Sequence, residues 1–520
     1  MRRTVFFGLA VALVAGAACG PAKAAGDDTV RVSLNADIRS TTPGTNRDDN
    51  TDAVVLHVVE GLVAYRENGS VGPLLAESVE ISPDGKTYTF HLRSGVKFHN
   101  GATMTADDVL WSWNRYMDPA TEWRCLSEFD GRGRAKVEAI EAPDPQTVVF
   151  RLDAPNALFL STLARPDCGM SGILHKDSVA ADGSWIGPVG TGPYMLADWR
   201  RGEAITLRRF ADYASLPGDA DGFTGGKSPK VETVEFLVIP DASAAKAALV
   251  SGAIDLVPDI SPADREELKD NPDIEIVAAE TMGLNAILFQ TRDPLMGNQK
   301  LRQAIAASLD TAQIVHAVTD GNSVPNNSVV PTASAYYTDV QRQGFTYDPA
   351  RAQALLQEAG YAGEKIVMLT NNRYQSSFNT AVFAQAMMQA VGINVELEVL
   401  EWGTQLDRYS SGNYQMMAFP YSARLDPSLS FESMMGNKDE QPRKVWEDPE
   451  ALELLARSMV VTDDAERQKI FDELHRRLID QVPMIMLFNG SDLAAFNSRI
   501  EGYRPWAASK PRLWTVSIAG

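Results

Sequence analysis

Cysteine is scarce in this sequence of 520 residues, which has only Cys19, Cys125 and Cys168. Basic side chains are also few, because 48 Lys and Arg stand against 68 Asp and Glu and give a formal net charge of −20. Such an acidic balance disfavours nucleic acid and anionic membrane surfaces as partners. Beyond the N-terminal segment, no apolar run reaches the ~18 residues that a membrane helix needs, so we expect a water-soluble body.

Sequence motifs for catalysis are missing as well. The chain has no Gly-x-Ser-x-Gly elbow, no His-Glu-x-x-His and no Cys-x-x-Cys. Residues 226–228 end like a phosphate-binding loop, but Asp221 stands where the first glycine is required, so a plain loop is the better interpretation. The six histidines include no pair four residues apart, as a helical metal site would need. We therefore expect no enzymatic activity, metal or cofactor, while the abundant carboxylates leave an exported paired-acid hydrolase as an alternative.

The N-terminal residues have the pattern of a secretory signal peptide. Arg2 and Arg3 precede an apolar run over residues 5–18, and Ala22-Lys23-Ala24 forms a small-residue cleavage site. We predict that residues 1–24 are removed and that the mature chain is periplasmic. Lipid attachment at Cys19 is the alternative, which is disfavoured because no large aliphatic residue stands three positions before it.

The central part of the chain alternates strand-like and helix-like segments, without low-complexity tracts or a repeat of 20–50 residues, which indicates an α/β protein. Apolar residues alternate on both sides of a Pro83-Asp84-Gly85 turn and predict a hairpin with one buried face. Thr105 then stands in a helix-capping position before a helical repeat of large apolar side chains. The whole run over residues 84–109 resembles the solute-binding proteins of peptide, nickel and opine ABC importers, a family typified by dipeptide- and oligopeptide-binding proteins.

This resemblance extends over most of residues 30–505, through landmarks such as Gly190-Thr191-Gly192-Pro193-Tyr194. It implies a two-lobed periplasmic binding protein fold with a hinge and an extra subdomain inserted in the first lobe. The expected boundaries are 25–285 for lobe I, with the inserted subdomain at about 66–190, then 286–486 for lobe II and 487–520 for the return to lobe I. It also implies a monomer that closes on a small peptide-like ligand and delivers it to an ABC permease and its ATPase subunits.

Cys125 and Cys168 are the only cysteines beyond the predicted signal peptide. An oxidising periplasm permits a disulfide between them. Their spacing does not show whether the two Cα atoms approach closely enough to be bonded. The sequence therefore leaves the bond open.

The first candidate ligand contact follows a predicted strand at residues 366–369. Arg373 and Tyr374 stand at a strand-to-helix junction, where side chains reach the mouth of an α/β sheet. An arginine there can hold a carboxylate through two parallel hydrogen bonds. The resemblance implies the same role, because dipeptide-binding members of the family use a comparable arginine before an aromatic residue.

The second candidate is the loop after the strand at residues 415–419, which contains Tyr421, Arg424 and Asp426. It resembles the cleft loop in which peptide-binding members place an aspartate that pairs with the ligand's amino group. Here Ala423 or Arg424 stands at that place, and Asp426 directly precedes Pro427, where it is suited to cap a helix.

A base in place of an acid would favour an anionic ligand, because an unpaired buried charge is costly. An opine, another amino-acid conjugate or a nickel chelate therefore competes with a peptide as the ligand. Trp402, Trp123 and Arg124 are further candidate contacts.

Overall fold

The structure is a computed structural model that describes residues 28–45, 48–507 and 510–519. The predicted signal peptide and Cys19 lie outside these residues.

The described residues form a mixed α/β protein. Its strands are β1 (Thr29–Leu34), β2 (Val63–Tyr65), β3 (Val71–Pro73), β4 (Ala76–Ile81), β5 (Thr87–Leu92), β6 (Val137–Asp144), β7 (Thr147–Leu152), β8 (Tyr194–Arg200), β9 (Ala204–Arg209), β10 (Ala220–Asp221), β11 (Thr224–Gly225), β12 (Thr233–Val238), β13 (Leu256–Val257), β14 (Ile274–Phe289), β15 (Ile366–Asn371), β16 (Val395–Leu400), β17 (Met416–Tyr421), β18 (Met484–Asn497), β19 (Ile500–Glu501) and β20 (Ser517–Ile518). Its α-helices are α1 (Asp49–Val55), α2 (Ala106–Met117), α3 (Phe159–Leu163), α4 (Ala242–Val250), α5 (Pro262–Leu268), α6 (Gln299–Ser308), α7 (Thr311–Val318), α8 (Asp339–Arg342), α9 (Pro349–Ala359), α10 (Gln375–Ala390), α11 (Trp402–Ser411), α12 (Pro427–Met434), α13 (Pro449–Ser458) and α14 (Asp464–Gln481).

One ten-stranded sheet runs through both lobes in the order β16-β15-β17-β14-β18-β13-β1-β12-β9-β8. In the first lobe, β1 is parallel to both β12 and β13. In the second lobe, β15 is parallel to both β16 and β17. Parallel neighbours need helices on both faces of the sheet, and the alternation of strands and helices in the sequence supplies them.

Two long strands connect the lobes. β14 and β18 pair in antiparallel fashion along most of their length, and the register shifts between Glu280 and Leu284 and again between Asn285 and Ala286. β14 pairs with β17 only from Leu284 onwards, while β18 pairs with β13 at its other end. The predicted lobe boundaries fall within these strands, and bending at the irregular register stays a prediction.

The segment between β3 and β8 contains the four-stranded sheet β4-β5-β7-β6. Val79 pairs with Phe90 across the predicted hairpin, and Phe90 is fully buried. Thr105 and Asp108 form a capping box at the start of α2, and Trp113 of that helix packs edge-on against Phe150 of the sheet. The period-two pattern and the cap that were read from the sequence thus correspond to a real hairpin and helix.

Two covalent or ionic links lie inside the first lobe. Cys125 and Cys168 are joined by a disulfide across a sequence separation of 43, with Cα atoms 5.7 Å apart. Glu60 and Lys227 form a fully buried ion pair at 2.8 Å, and the hydroxyl of Tyr213 also donates to Glu60. The loop that resembled the end of a phosphate site therefore contributes its lysine to the interior.

Candidate functional site

The candidate site lies where β15, β16 and β17 end. These three strands are parallel, so their C-terminal ends meet at one edge of the second lobe. Tyr421, the last residue of β17, pairs with Leu284, where β14 arrives from the first lobe. The edge is therefore turned toward the first lobe, which is where ligands bind in open α/β sheets.

Aromatic side chains cover this edge and form what we call the aromatic cluster, made of Tyr374, Trp402, Tyr409, Phe419 and Tyr421. Tyr374 meets Trp402 edge-on at 4.9 Å between ring centroids, and Trp402 lies 5.6 Å from Phe419. Phe419 stacks on Tyr409 at 4.4 Å. The Tyr409 and Tyr421 hydroxyls are 3.2 Å apart, and burial raises the pKa of Tyr421 well above its ordinary value. Tyr374, which is 37% exposed, gives the cluster an accessible ring.

Arg373 extends from the turn between β15 and α10. The turn is fixed by Asn371, whose side-chain carbonyl accepts from the backbone N–H of Tyr374 and whose amide donates to Gln405 at 2.7 Å. The guanidinium lies 5.7 Å from the centre of the Tyr374 ring. Arg373 is exposed and makes no ion pair with any described carboxylate. Its hydrogen-bond donors are therefore available to a ligand anion.

Asp426 is engaged by the protein itself. Its carboxylate accepts from the backbone N–H of Ser428 and so caps α12. Nη2 of Arg467 donates to both carboxylate oxygens at 2.8 and 2.9 Å, and the aspartate is only 6% exposed. The cap read from the Asp-Pro sequence is present, and the charge is neutralised inside the second lobe.

Arg424 lies beside a cavity between the inserted segment and the second lobe. Its Nη1 donates to the carbonyls of Ala423 and Ser422, at 2.9 and 3.4 Å. Across the same cavity, Arg134 of the first lobe forms an ion pair with Glu432 of α12 at 2.7 Å. Arg424 therefore stands at the contact between the two lobes.

Trp123 and Arg124 are held in the first lobe. Trp123 is 2% exposed, stacks on Phe129 and donates through Nε1 to the carbonyl of Cys168 at 3.0 Å. Arg124 pairs with Asp167 at 2.9 Å. The Trp123 ring therefore packs between Tyr116 and Phe129, and the charge of Arg124 is neutralised within the first lobe.

Three residues at the site were not singled out from the sequence: Tyr409, Arg134 and Arg443. Tyr409 lies four residues after Gln405 on the buried face of α11, and such helical spacing is typical of ordinary core packing. Arg134 and Arg443 stand in polar loops, where a charge usually indicates a solvated surface. Arg134 and Arg443 border the same cavity because the fold brings together segments that are far apart in sequence.

Within residues 28–45, 48–507 and 510–519, no group of three or more His, Cys, Asp or Glu side chains could hold a metal ion. Over the same residues, no helix is long and apolar enough to cross a membrane.

Comparison with known proteins relates this chain to bacterial solute-binding proteins. The family model of the bacterial extracellular solute-binding proteins, family 5 Middle, matches residues 70–442. The chain is 27% identical to the dipeptide-binding protein of Escherichia coli K12 over 508 residues, which covers 92% of this chain and 91% of that one.

Two solved structures share the fold. One is the periplasmic binding protein DppA of Helicobacter pylori in complex with the peptide STSA, with 25% identity, a TM-score of 0.64 and coverage of 95% and 98% of the two chains. The other is the binding protein AgaA of A. tumefacien R10 in complex with agropinic acid, with 27% identity, a TM-score of 0.62 and coverage of 95% and 99%. The family consists of substrate-binding proteins rather than enzymes, and this chain belongs to the bacterial extracellular solute-binding proteins of family 5.

Proposed function

We propose that this chain is the periplasmic substrate-binding component of an ABC importer, a monomer that captures a peptide or peptide-like molecule between its lobes. The closed, loaded form would dock on the permease, whose ATPase subunits drive transport. Residues 1–24 would direct export and then be removed. The observation that carries the proposal is Arg373, which pairs with no carboxylate of the described residues and lies beside the aromatic cluster, at a sheet edge turned toward the other lobe.

Arg373 and Tyr374 suit one end of a short peptide. A guanidinium that pairs with no described carboxylate of the protein can donate two hydrogen bonds to the ligand's terminal carboxylate. The rings of Tyr374 and Trp402 offer apolar area for the adjoining residue. Binding of this kind needs no covalent step, because a ligand that contacts both lobes favours the closed form by its differential affinity.

The second candidate ligand is an anionic amino-acid conjugate such as an opine. The observation that favours it is Arg424 in the loop where peptide-binding relatives are expected to have an acid. AgaA, which shares the fold at 27% identity, was solved with agropinic acid. A blocked or absent amino group would remove the need for an acidic partner in that loop.

The experiment offers ligand-stripped protein an equimolar library of dipeptides and tripeptides, each as the free acid and as the C-terminal amide. Bound species are identified by native mass spectrometry and their affinities measured by tryptophan fluorescence. We expect free acids to bind at least tenfold tighter than amides, because charged hydrogen bonds contribute about 1.5–3 kcal/mol. The Arg373→Gln variant should lose this preference.

Arg351→Gln is the matched control, since Arg351 lies in the same lobe and pairs at the surface with Glu358 at 3.0 Å. This variant should bind like the wild type. If no library member binds, the proposal that the ligand is a peptide is wrong. If bound peptides are cleaved, the protein is a hydrolase instead.

A further inference from the structure

A polar cavity of about 430 Å³, partly open to solvent, lies where Arg134 of the first lobe meets residues 424–444 of the second lobe. We call it the basic pocket and define it by its charged lining residues, which are Arg134, Arg424, Glu432, Arg443 and Lys444. Four of these side chains are cationic and one is acidic. A space of this size is large enough for one side chain or head group of a small ligand.

Three of the four cations have no carboxylate partner among the described residues. Arg424 donates only to backbone carbonyls of its own loop. Arg443 reaches the carbonyl of Ser433 at 3.5 Å and the side-chain carbonyl of Gln441 at 3.3 Å. Lys444, 4% exposed, donates through Nζ to the backbone carbonyl of Glu432. Only Arg134 is neutralised, by Glu128 and Glu432.

Arg424 and Lys444 each lie near other cations of this region, and near Glu432 as the acid. Burial, and then the neighbouring Arg165 and Arg134, lower the pKa of Arg424. Burial and Arg443 lower the pKa of Lys444 to about 8. Partly desolvated like charges raise one another's free energy, and an entering anion reverses the sign of this interaction.

The basic pocket adjoins the aromatic cluster. Arg424 of the pocket lining follows Tyr421 of the aromatic cluster by three residues, in the loop after β17. The Arg134–Glu432 pair joins segments 298 residues apart in sequence, one in each lobe. A ligand lying on the aromatic cluster can therefore extend into the basic pocket, where it touches both lobes.

We propose that the basic pocket binds an anionic group, a carboxylate or a phosphate, on a side chain of the ligand held in the cleft. This inference rests on the proposed function and narrows its ligand to acidic peptide-like molecules. Arg424 and Arg443 of the second lobe would bind the anion, and Arg134 would complete its coordination from the first lobe. Arg373 would remain the contact for a second anionic group.

The test uses four defined probes that differ in one side chain: Glu-Ala, Gln-Ala, Lys-Ala and phosphoserine-Ala. Affinities of stripped wild-type protein are compared with those of Arg424→Gln and Arg443→Gln. The matched control is Arg476→Gln, because Arg476 lies on the exposed face of α14 and pairs with Glu473 at 3.7 Å. Circular dichroism confirms that each variant is folded.

We expect Glu-Ala to bind at least tenfold tighter than the isosteric Gln-Ala, with Lys-Ala weakest and the contrast reduced by salt. Either pocket variant should bring the Glu-Ala to Gln-Ala ratio near one, and the control should keep the wild-type ratio. Tighter binding of phosphoserine-Ala would assign the anion as phosphate, and tighter binding of Glu-Ala as carboxylate.

Equal affinity of wild type for Glu-Ala and Gln-Ala would overturn the basic pocket as an anion site and leave the proposed function standing. An unchanged ratio in both pocket variants would overturn it in the same way. Absence of binding by all four probes would overturn this proposal and count against a dipeptide ligand.

Discussion

Replacing Asp426 by alanine separates a role in folding from a role in ligand binding. Asp426 is 6% exposed, accepts two hydrogen bonds from Arg467 and caps α12. Its removal leaves the Arg467 guanidinium buried without its counter-charge. The remaining partners of that guanidinium are neutral oxygens, of Ser458, Ser428 and Tyr336.

The cost follows from these contacts. Breaking a buried ion pair by deleting one member costs about 3–5 kcal/mol, and loss of a helix cap about 1 kcal/mol. The two losses overlap because they concern one carboxylate. We therefore expect the substitution to lower the free energy of unfolding of the second lobe by about 4 kcal/mol. For a unit of 150–250 residues this corresponds to a fall in Tm of about 10 °C.

Urea unfolding and differential scanning calorimetry measure the effect, with the two lobes treated as separate transitions where they separate. Asp339→Ala is the control, since Asp339 is 94% exposed and its ion pair with Arg342 lies at the surface, where such pairs contribute at most about 1 kcal/mol. The Asp426→Ala/Arg467→Met double variant should lose less than the sum of the two single variants.

Ligand affinity of folded Asp426→Ala should stay within about threefold of wild type. A loss of less than about 1 kcal/mol in stability, accompanied by a large loss of affinity, would refute the structural role. It would return Asp426 to the set of ligand contacts.

Three other predictions concern the first lobe. Burial raises the pKa of Asp52 to about 7, so the native state binds a proton more tightly than the unfolded state. The ionised, buried carboxylate therefore lowers folding stability above pH ~7, and this destabilisation is relieved as the pH falls. Asp52→Asn should therefore raise stability at pH 8 by on the order of 3 kcal/mol and show little difference near pH 4 in thermal scans; equal gains at both pH values would contradict this. Lys227→Met should lower the free energy of unfolding, measured in urea, by about 3–5 kcal/mol, because it leaves Glu60 buried and unpaired. Adding Glu60→Gln should restore much of this stability. No recovery in the double variant would show that packing of the lysine stem dominates. Replacing both Cys125 and Cys168 by serine should destabilise the first lobe by about 4 kcal/mol on the chain-entropy account, a value that an unchanged calorimetric transition would exclude.

The sequence predicted those parts of the fold that depend on local pattern. Alternation before and after the turn at residues 83–85 identified the hairpin, because a strand pair with one buried face has period two. The capping box at Thr105 and the Asp-Pro start of α12 were equally readable, since the orphan N–H groups of a helix are satisfied within three residues. Resemblance, rather than pattern, supplied the two-lobed architecture.

The composition of the site was less accessible, because its contacts join distant segments. Arg134 and Glu432 are 298 residues apart, and nothing local to either indicates the other. Trp123 and Trp402 were both candidate ligand contacts, yet Trp123 packs in the core and Trp402 lies in the aromatic cluster. Burial depends on what the rest of the chain brings to a residue, which periodicity does not encode.

Native mass spectrometry of the protein purified from the periplasm of its own bacterium tests the central claim most directly. Spectra recorded before and after mild denaturation should differ by the mass of one small molecule, released intact and bearing at least one carboxylate or phosphate. Release of cleaved fragments, or repeated isolation of ligand-free protein that binds no peptide or acidic conjugate on addition, would contradict the account.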